Sequence, residues 1–273
     1  MSPGLFVLAA ARRGLLAVCA AAACYVSLAY GVAPALWRHY ERQSALADKA
    51  MTTTTSLGIP GDALNVGLEG RREDVLCAMR AAGWRPADPV TWRSSAKIVG
   101  SVLLRRAYAT APVSDLFYDR RRQDLAFQKP SGASPSTRHH VRLWKALEAG
   151  DDGLPVWLGA ATFDRSVGVS HFTGQATHHV APDIDAERDL LTADLAAAGV
   201  VETDYWVSGV GPTLFARNGG GDRYFTDGEI AFSRLSENCE SRPGAPTVLT
   251  SPPAVQAKNR LFAWAAALWR RFL

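Results

Sequence analysis

Arg138-His139-His140-Val141-Arg142-Leu143-Trp144, Gly159-Ala160-Ala161-Thr162-Phe163-Asp164, Val167-Gly168-Val169-Ser170-His171 and Thr177-His178-His179-Val180 follow one another in the middle of the chain. Side-chain character changes with a period of two along these runs, which predicts β-strands. Val156 to Phe163 reads as one strand and Val167 to Thr173 as the next, separated by Asp164-Arg165-Ser166. Gly174-Gln175 is a Gly-X pair suited to a type II′ hairpin. Counting out from that turn pairs Phe172 with Thr177 and His171 with His178. Five of the six histidines fall between Arg138 and Asp189, so any site is expected there.

Outward from this centre the period changes. Upstream, Leu125 to Gln128 and Leu64 to Leu68 read as further strands, and Arg71 to Ala82 as a helix stopped by Gly83 with Val75, Leu76, Met79 and Ala82 inward. Thr91 to Arg106 reads as a second helix. Downstream, Asp183 to Ala198 is a helix ending at Gly199, with Leu190, Leu191 and Leu195 inward. Tyr205 to Ser208 and Thr213 to Ala216 are strand-like, and Asp227-Gly228 suggests a hairpin joining Arg223–Phe225 to Ile230–Phe232. The expected fold is α+β, a mainly antiparallel sheet with helices packed on it.

The ends differ from this body. Gly14 to Trp37 carries no charged side chain, and at 1.5 Å per residue such a run crosses a hydrocarbon core about 30 Å thick. It is a membrane segment or a signal peptide. Ser27-Leu28-Ala29 could be a cleavage site, but the apolar run continues beyond it, which favours an uncleaved anchor. Arg12 and Arg13 before the run nearly balance Arg38, Arg42 and Lys49 after it, and the short N-terminal tail favours a body outside the cytoplasm. The expected division is an anchor at 1–37, a linker at 38–61, a body at 62–240, a proline-rich linker at 241–253 and a basic amphipathic helix at 254–273. That last helix places Leu261, Trp264, Ala265, Leu268 and Phe272 on one face, suited to a lipid surface or to packing on the body.

A net charge of +4 in 273 residues, spread between the ends and Arg120-Arg121-Arg122, marks no nucleic-acid groove. The partners expected are membrane lipid and a membrane protein. Cys77 and Cys239 are the body's two cysteines, compatible with one disulfide or with two thiols. No G-x-S-x-G, P-loop or GxGxxG occurs, and Gly219-Gly220-Gly221 reads as a loop.

In the expected hairpin His171 and His178 are cross-strand neighbours, with Cβ atoms about 5 Å apart. Two imidazoles at that distance can share a divalent metal such as zinc, with His140 as a third ligand and Asp164 as a fourth ligand or general base. His179 points the other way unless the strand is bulged. Arg142 shares a strand face with His140 and could hold an anionic group. The alternative is a solvated sheet face, with Asp183, Asp185 and Glu187 merely capping a helix start.

These same residues, with Asp124-Leu125-Ala126-Phe127-Gln128-Lys129-Pro130 and Asp183-Ile184-Asp185-Ala186-Glu187-Arg188-Asp189, resemble the LssY C-terminal domain family over roughly Asp62 to Val201. It is a bacterial domain found alone or attached to membrane proteins of the DedA and lipid-phosphatase types. The resemblance implies a domain identity and a bacterial envelope setting and supplies no mechanism; with the anchor's orientation read above, the expected location is the inner membrane with a periplasmic body. Two functions are carried forward: a metal-dependent hydrolase of a phosphate-bearing or lipid-linked substrate, and a non-enzymatic binding or assembly module. Convergence of at least three of these side chains favours the first.

Overall fold

The computed structural model describes residues 3–87, 114–132, 137–208, 211–242 and 244–269. The expected helix at 91–106 lies outside them. The chain divides into two units, Met1–Glu41 with Pro252–Leu273, and Arg42–Ser251.

In the first unit, helix α1 (Pro3–Ser27) passes through a π turn at Leu28–Val32 into α2 (Ala33–Tyr40). Ala11–Tyr40 is long and apolar enough to cross a membrane, with mean hydropathy 2.0 over its most apolar window. Leu15, Leu16, Val18, Tyr25 and Val26 are exposed along it. The unit closes with a helix at Pro253–Trp269, on which Leu261 and Trp264 are exposed.

The second unit is α+β with mostly antiparallel sheets. In chain order it contains β1 (Thr52–Thr54), β2 (Pro60–Ala63), β3 (Val66–Glu69), α3 (Arg72–Ala81), β4 (Arg85–Pro86), β5 (Phe117–Tyr118), β6 (Arg121–Arg122), β7 (Leu125–Pro130), β8 (Arg138–Leu147), β9 (Val156–Val169) and β10 (Ala176–Val180). Then follow α4 (Ile184–Ala197), β11 (Val201–Val207), β12 (Phe215–Arg217), β13 (Arg223–Phe225), β14 (Ile230–Leu235) and β15 (Thr247–Val248). The main sheet runs β15-β11-β14-β3-β9-β8-β7-β4, with β10 paired to the far end of β9. Among the described strands only β11–β15 and β14–β3 pair in parallel.

Period-two alternation divides this sheet into two apolar faces. Val141, Leu143, Phe127 and Trp157 pack with Val75 and Met79 of α3 and Leu191 and Leu195 of α4. Trp144, Leu158, Phe232 and Tyr205 point the other way and pack with Leu46, Met51, Leu116 and Tyr118. Met51, Leu116 and Tyr118 belong to or adjoin a small sheet ordered β2-β1-β5-β6, and Leu46 ends a 3₁₀ turn before it. The main sheet therefore lies between helices and a second, smaller sheet.

Several boundaries differ from the expectation. The expected linker at 38–61 holds β1 and β2, with Leu46 and Thr53 fully buried, so the body begins before Asp62. Thr52, Thr53 and Thr54, inside that expected linker, are β-branched residues suited to a strand. The proline-rich segment at 241–253 contains β15, hydrogen-bonded to the edge strand β11. Asp164-Arg165-Ser166 does not interrupt the strand, because β9 runs through it as one element of 14 residues. The hairpin expected at Asp227-Gly228 does not form: β13 pairs with β12, while β14 lies between β11 and β3.

Cys77 and Cys239 form a disulfide that ties α3 to a 3₁₀ turn at Glu237–Cys239. Beside it the buried Asp74 carboxylate accepts the backbone N–H groups of Arg71 and Asn238 at 3.0 and 2.8 Å. The bridge closes a loop spanning most of the body. Replacing both cysteines by alanine in the full chain is expected to lower unfolding free energy by about 2–5 kcal/mol, read as a lower urea midpoint that reductant no longer changes.

Candidate functional site

In the β8–β9 ladder Arg138 faces Asp164, His140 faces Thr162 and Arg142 faces Ala160. Arg138, His140 and Arg142 alternate with His139, Val141 and Leu143, so the three leave the sheet on the side away from the helices. All three are buried, as are Thr162 and Asp164. Buried charges must be paired and hydrogen-bonded, and here they form one connected chain.

Arg138 Nε donates to Asp164 Oδ2 at 2.8 Å, and Nη1 to Gln128 Oε1 at 3.1 Å. His140 Nδ1 faces Asp164 Oδ1 at 3.4 Å. His140 Nε2 lies 2.9 Å from Arg142 Nη1 and 2.8 Å from Thr162 Oγ1. A guanidinium only donates, so Nε2 is the acceptor and the ring proton sits on Nδ1, towards Asp164. Arg142 also donates to Asp62 Oδ2 at 3.0 Å and to the Ser114 carbonyl at 2.9 Å. Burial alone would raise the Asp164 pKa, but His140 and Arg138 outweigh it and hold the carboxyl well below its ordinary range. Burial pushes the Arg142 pKa down, and Asp62 and Asp164 partly restore it.

This chain floors a cavity of about 210 Å³. Thr55, Ser56, Ser114, Ser170 and Thr177 supply hydroxyls around it, and Asn218-Gly219-Gly220 closes one side. His178 also lines it. In β10, Val180 sits opposite Asp164 while His179 sits opposite Ser166, leaving Arg165 as an extra residue in β9. Such a bulge changes which side chains share a face, and it brings His178, opposite Val167, to the same cavity as Asp164. Among the described residues no hydrogen bond engages the His178 ring. Burial lowers its pKa, with Arg138, His140 and Arg142 adding to that effect and Asp164 opposing it.

His179 takes the other direction. Its Nδ1 lies 2.8 Å from Asp222 Oδ1, and Asp222 Oδ2 accepts the Val180 N–H at 3.1 Å. The His171 ring centre lies 5.6 Å from that of His179. A ring nitrogen from each histidine and an Asp222 oxygen all fall within 4.8 Å of one another.

His140, Arg142, Asp164 and His178 therefore line one cavity, while His171 does not join them. The expected two-residue hairpin is a longer connection, in which Ser170 N–H bonds the Gln175 carbonyl, and His178 pairs with Val167 instead of His171. In His140, Nε2 is engaged by Arg142 and Thr162, while the buried Nδ1 lies 3.4 Å from Asp164 without a hydrogen bond. His139 is on the helix side, 2.8 Å from Glu187 and packed on Phe163. Asp183 caps α4 through the Ala186 N–H, and Asp185 accepts from Thr226 and Asp227, so the acidic run fastens the helix. Arg138 and Asp62 are site residues that the sequence reading does not single out, although Arg138 shares the period-two face of His140 and Arg142. Asp222 follows a glycine run and carries no signal of its own.

A family model described as "LssY C-terminus" matches residues 39–230. No curated protein and no solved structure matches the chain.

Replacing Arg138 with methionine leaves the Asp164 carboxylate without its cation and is expected to cost about 3–5 kcal/mol of stability, measured by urea denaturation at pH 7. The Asp164 pKa is lowered on folding, so its contribution is complete above its unfolded value of about 3.9 and is lost as pH falls below it. Stability below about pH 4 is accordingly expected to fall less steeply in Asp164→Asn than in the parent.

Proposed function

The chain belongs to the LssY C-terminus family, and from that premise we propose a single-pass bacterial inner-membrane protein whose periplasmic body binds a small polar headgroup in the cavity floored by Arg138, His140, Arg142 and Asp164. His178 acts there as general base and acid in hydrolysis of a phosphate-bearing or lipid-linked substrate. The apolar helix at Ala11–Tyr40 supports an anchor, and the Cys77–Cys239 bridge suits an oxidising compartment. The terminal helix, with Leu261 and Trp264 exposed, suits the lipid surface.

One observation carries the reading: the floor's arginines and carboxylates are paired with one another, whereas the His178 ring is unengaged among the described residues and lines the cavity. Its lowered pKa keeps the imidazole neutral and able to accept a proton at pH 7. In hydrolysis His178 would take a proton from an attacking water and return it to the leaving oxygen. Arg138 and Arg142 would orient the headgroup through N–H donors. Their charges are matched by Asp164 and Asp62, so recognition rests on hydrogen-bond geometry and the hydroxyl lining more than on net charge.

The second reading, a non-enzymatic binding module, is favoured by the same saturation, since among the described residues no second titrating group stands free beside His178. Assay of the full chain in mixed micelles against phosphomonoesters and phosphorylated lipids separates the two. His178→Gln is expected to lose roughly 10²–10⁴-fold in kcat/KM with its urea midpoint retained. Because folding lowers the His178 pKa, activity is expected to hold through pH 7 and to fall only below about 6.5, the ordinary histidine value. Headgroup binding without turnover in both proteins would establish the binding module.

A further inference from the structure

We propose that His171, His179 and Asp222 form a divalent transition-metal site, separate from the cavity floor, that fastens together the two loops walling the cavity. The donor set is two imidazoles and a carboxylate, a combination that binds zinc and its first-row neighbours with coordination positions left for water. The three donor atoms lie within 4.8 Å of one another. Tetrahedral coordination at metal–ligand distances near 2.1 Å needs them about 3.4 Å apart. His171 is exposed on the loop after β9 and can supply that closure, while Asp222 is buried and His179 is partly so.

Backbone features shape this cluster. A Cβ added at Gly168 would stand 2.2 Å from His179 Nε2, so the ring lies against the glycine and turns Nδ1 to Asp222. A Cβ at Gly221, where φ is +89°, would stand 2.6 Å from the His171 Cβ. The backbone therefore makes room for both histidines where a larger residue would push them away. Asn218 Oδ1 accepts the N–H groups of Gly220 and Asp222, and His171 N–H bonds the Gly220 carbonyl at 2.9 Å.

Ser170, Thr173 and Gln175 come from one loop and Asn218, Gly219 and Gly220 from the other, and all line the cavity. An ion held by His171 from the first loop, Asp222 from the second and His179 from β10 would join both to the strand that carries His178. His179 Nδ1 and Asp222 Oδ1 already lie 2.8 Å apart, so the fold has brought two of the three donors together before any ion binds.

The test uses tag-free full-length protein in detergent, stripped with chelator and titrated with zinc by calorimetry, followed by elemental analysis after dialysis. The expected result is one zinc per chain, bound at least about tenfold more weakly by His171→Asn and by Asp222→Asn, and unchanged in His178→Gln. Should Asp222→Asn fold poorly, His171→Asn still decides, because His171 is exposed. Zinc is also expected to slow amide exchange in residues 170–175 and 218–222. No stoichiometric zinc, or zinc lost in His178→Gln and kept in His171→Asn, overturns the site. Zinc bound with unchanged exchange in both loops overturns the fastening role. Zinc stoichiometry and amide exchange are read without substrate, so failure of the metal site is distinguishable from failure of the hydrolysis reading.

Discussion

A carboxylate only 2% exposed in the middle of a sheet is costly unless something compensates it. Asp164 is compensated by Arg138 directly across the ladder and by His140 beside it. This interaction fixes much else. Two arginines on one strand face would repel if buried alone, so Arg142 carries its own counter-charge in Asp62 at the end of β2. That pairing draws the small N-terminal sheet over the main sheet and encloses the cavity between them. A buried pair of this kind is weak evidence for net stability, since its desolvation cost offsets its attraction. It is better understood as holding polar groups in fixed positions, as a preorganised site requires.

The bulge at Arg165 is the second constraint. Without it, strict alternation would send His178 and Asp164 to different faces of the sheet. One inserted residue restores a common face and separates the consecutive histidines His178 and His179 into different environments. One imidazole meets an enclosed, desolvated cavity, and the other meets Asp222 and the edge of the fold.

What the sequence made legible follows the range of the physics. Local periodicity located α3, α4, β7, β8 and most of β9, because a strand or helix buried on one face writes its period into neighbouring residues. The shared face of His140 and Arg142, with Asp164 at the end of the neighbouring run, was legible for the same reason, whereas the arrival of His178 beside them depends on the bulge. Pairing partners were less so. β14 inserts beside β3 across more than 150 residues, and nothing near Ile230 announces a partner at Val66. The bulge at Arg165 was invisible, since an extra residue in a strand has no compositional mark, and the hairpin register at Gly174 failed with it. Asp222 was missed because its role depends wholly on what the fold brings to it.

β10 is a five-residue strand paired, among the described residues, on one side only, to the end of β9. Such a strand has little of its own to hold it, and its side-chain directions depend on contacts at both faces. Val180 and His179 are fastened through Asp222, whose two oxygens grip the strand's backbone and its imidazole together. His178 is the residue immediately before them. Its presentation to the cavity therefore depends on the Asp222 contacts on the opposite side of the strand, although no atom of Asp222 lines the cavity. The two histidine environments are thus mechanically one device, and a change that loosens Asp222 alters the cavity by moving the strand on which His178 stands.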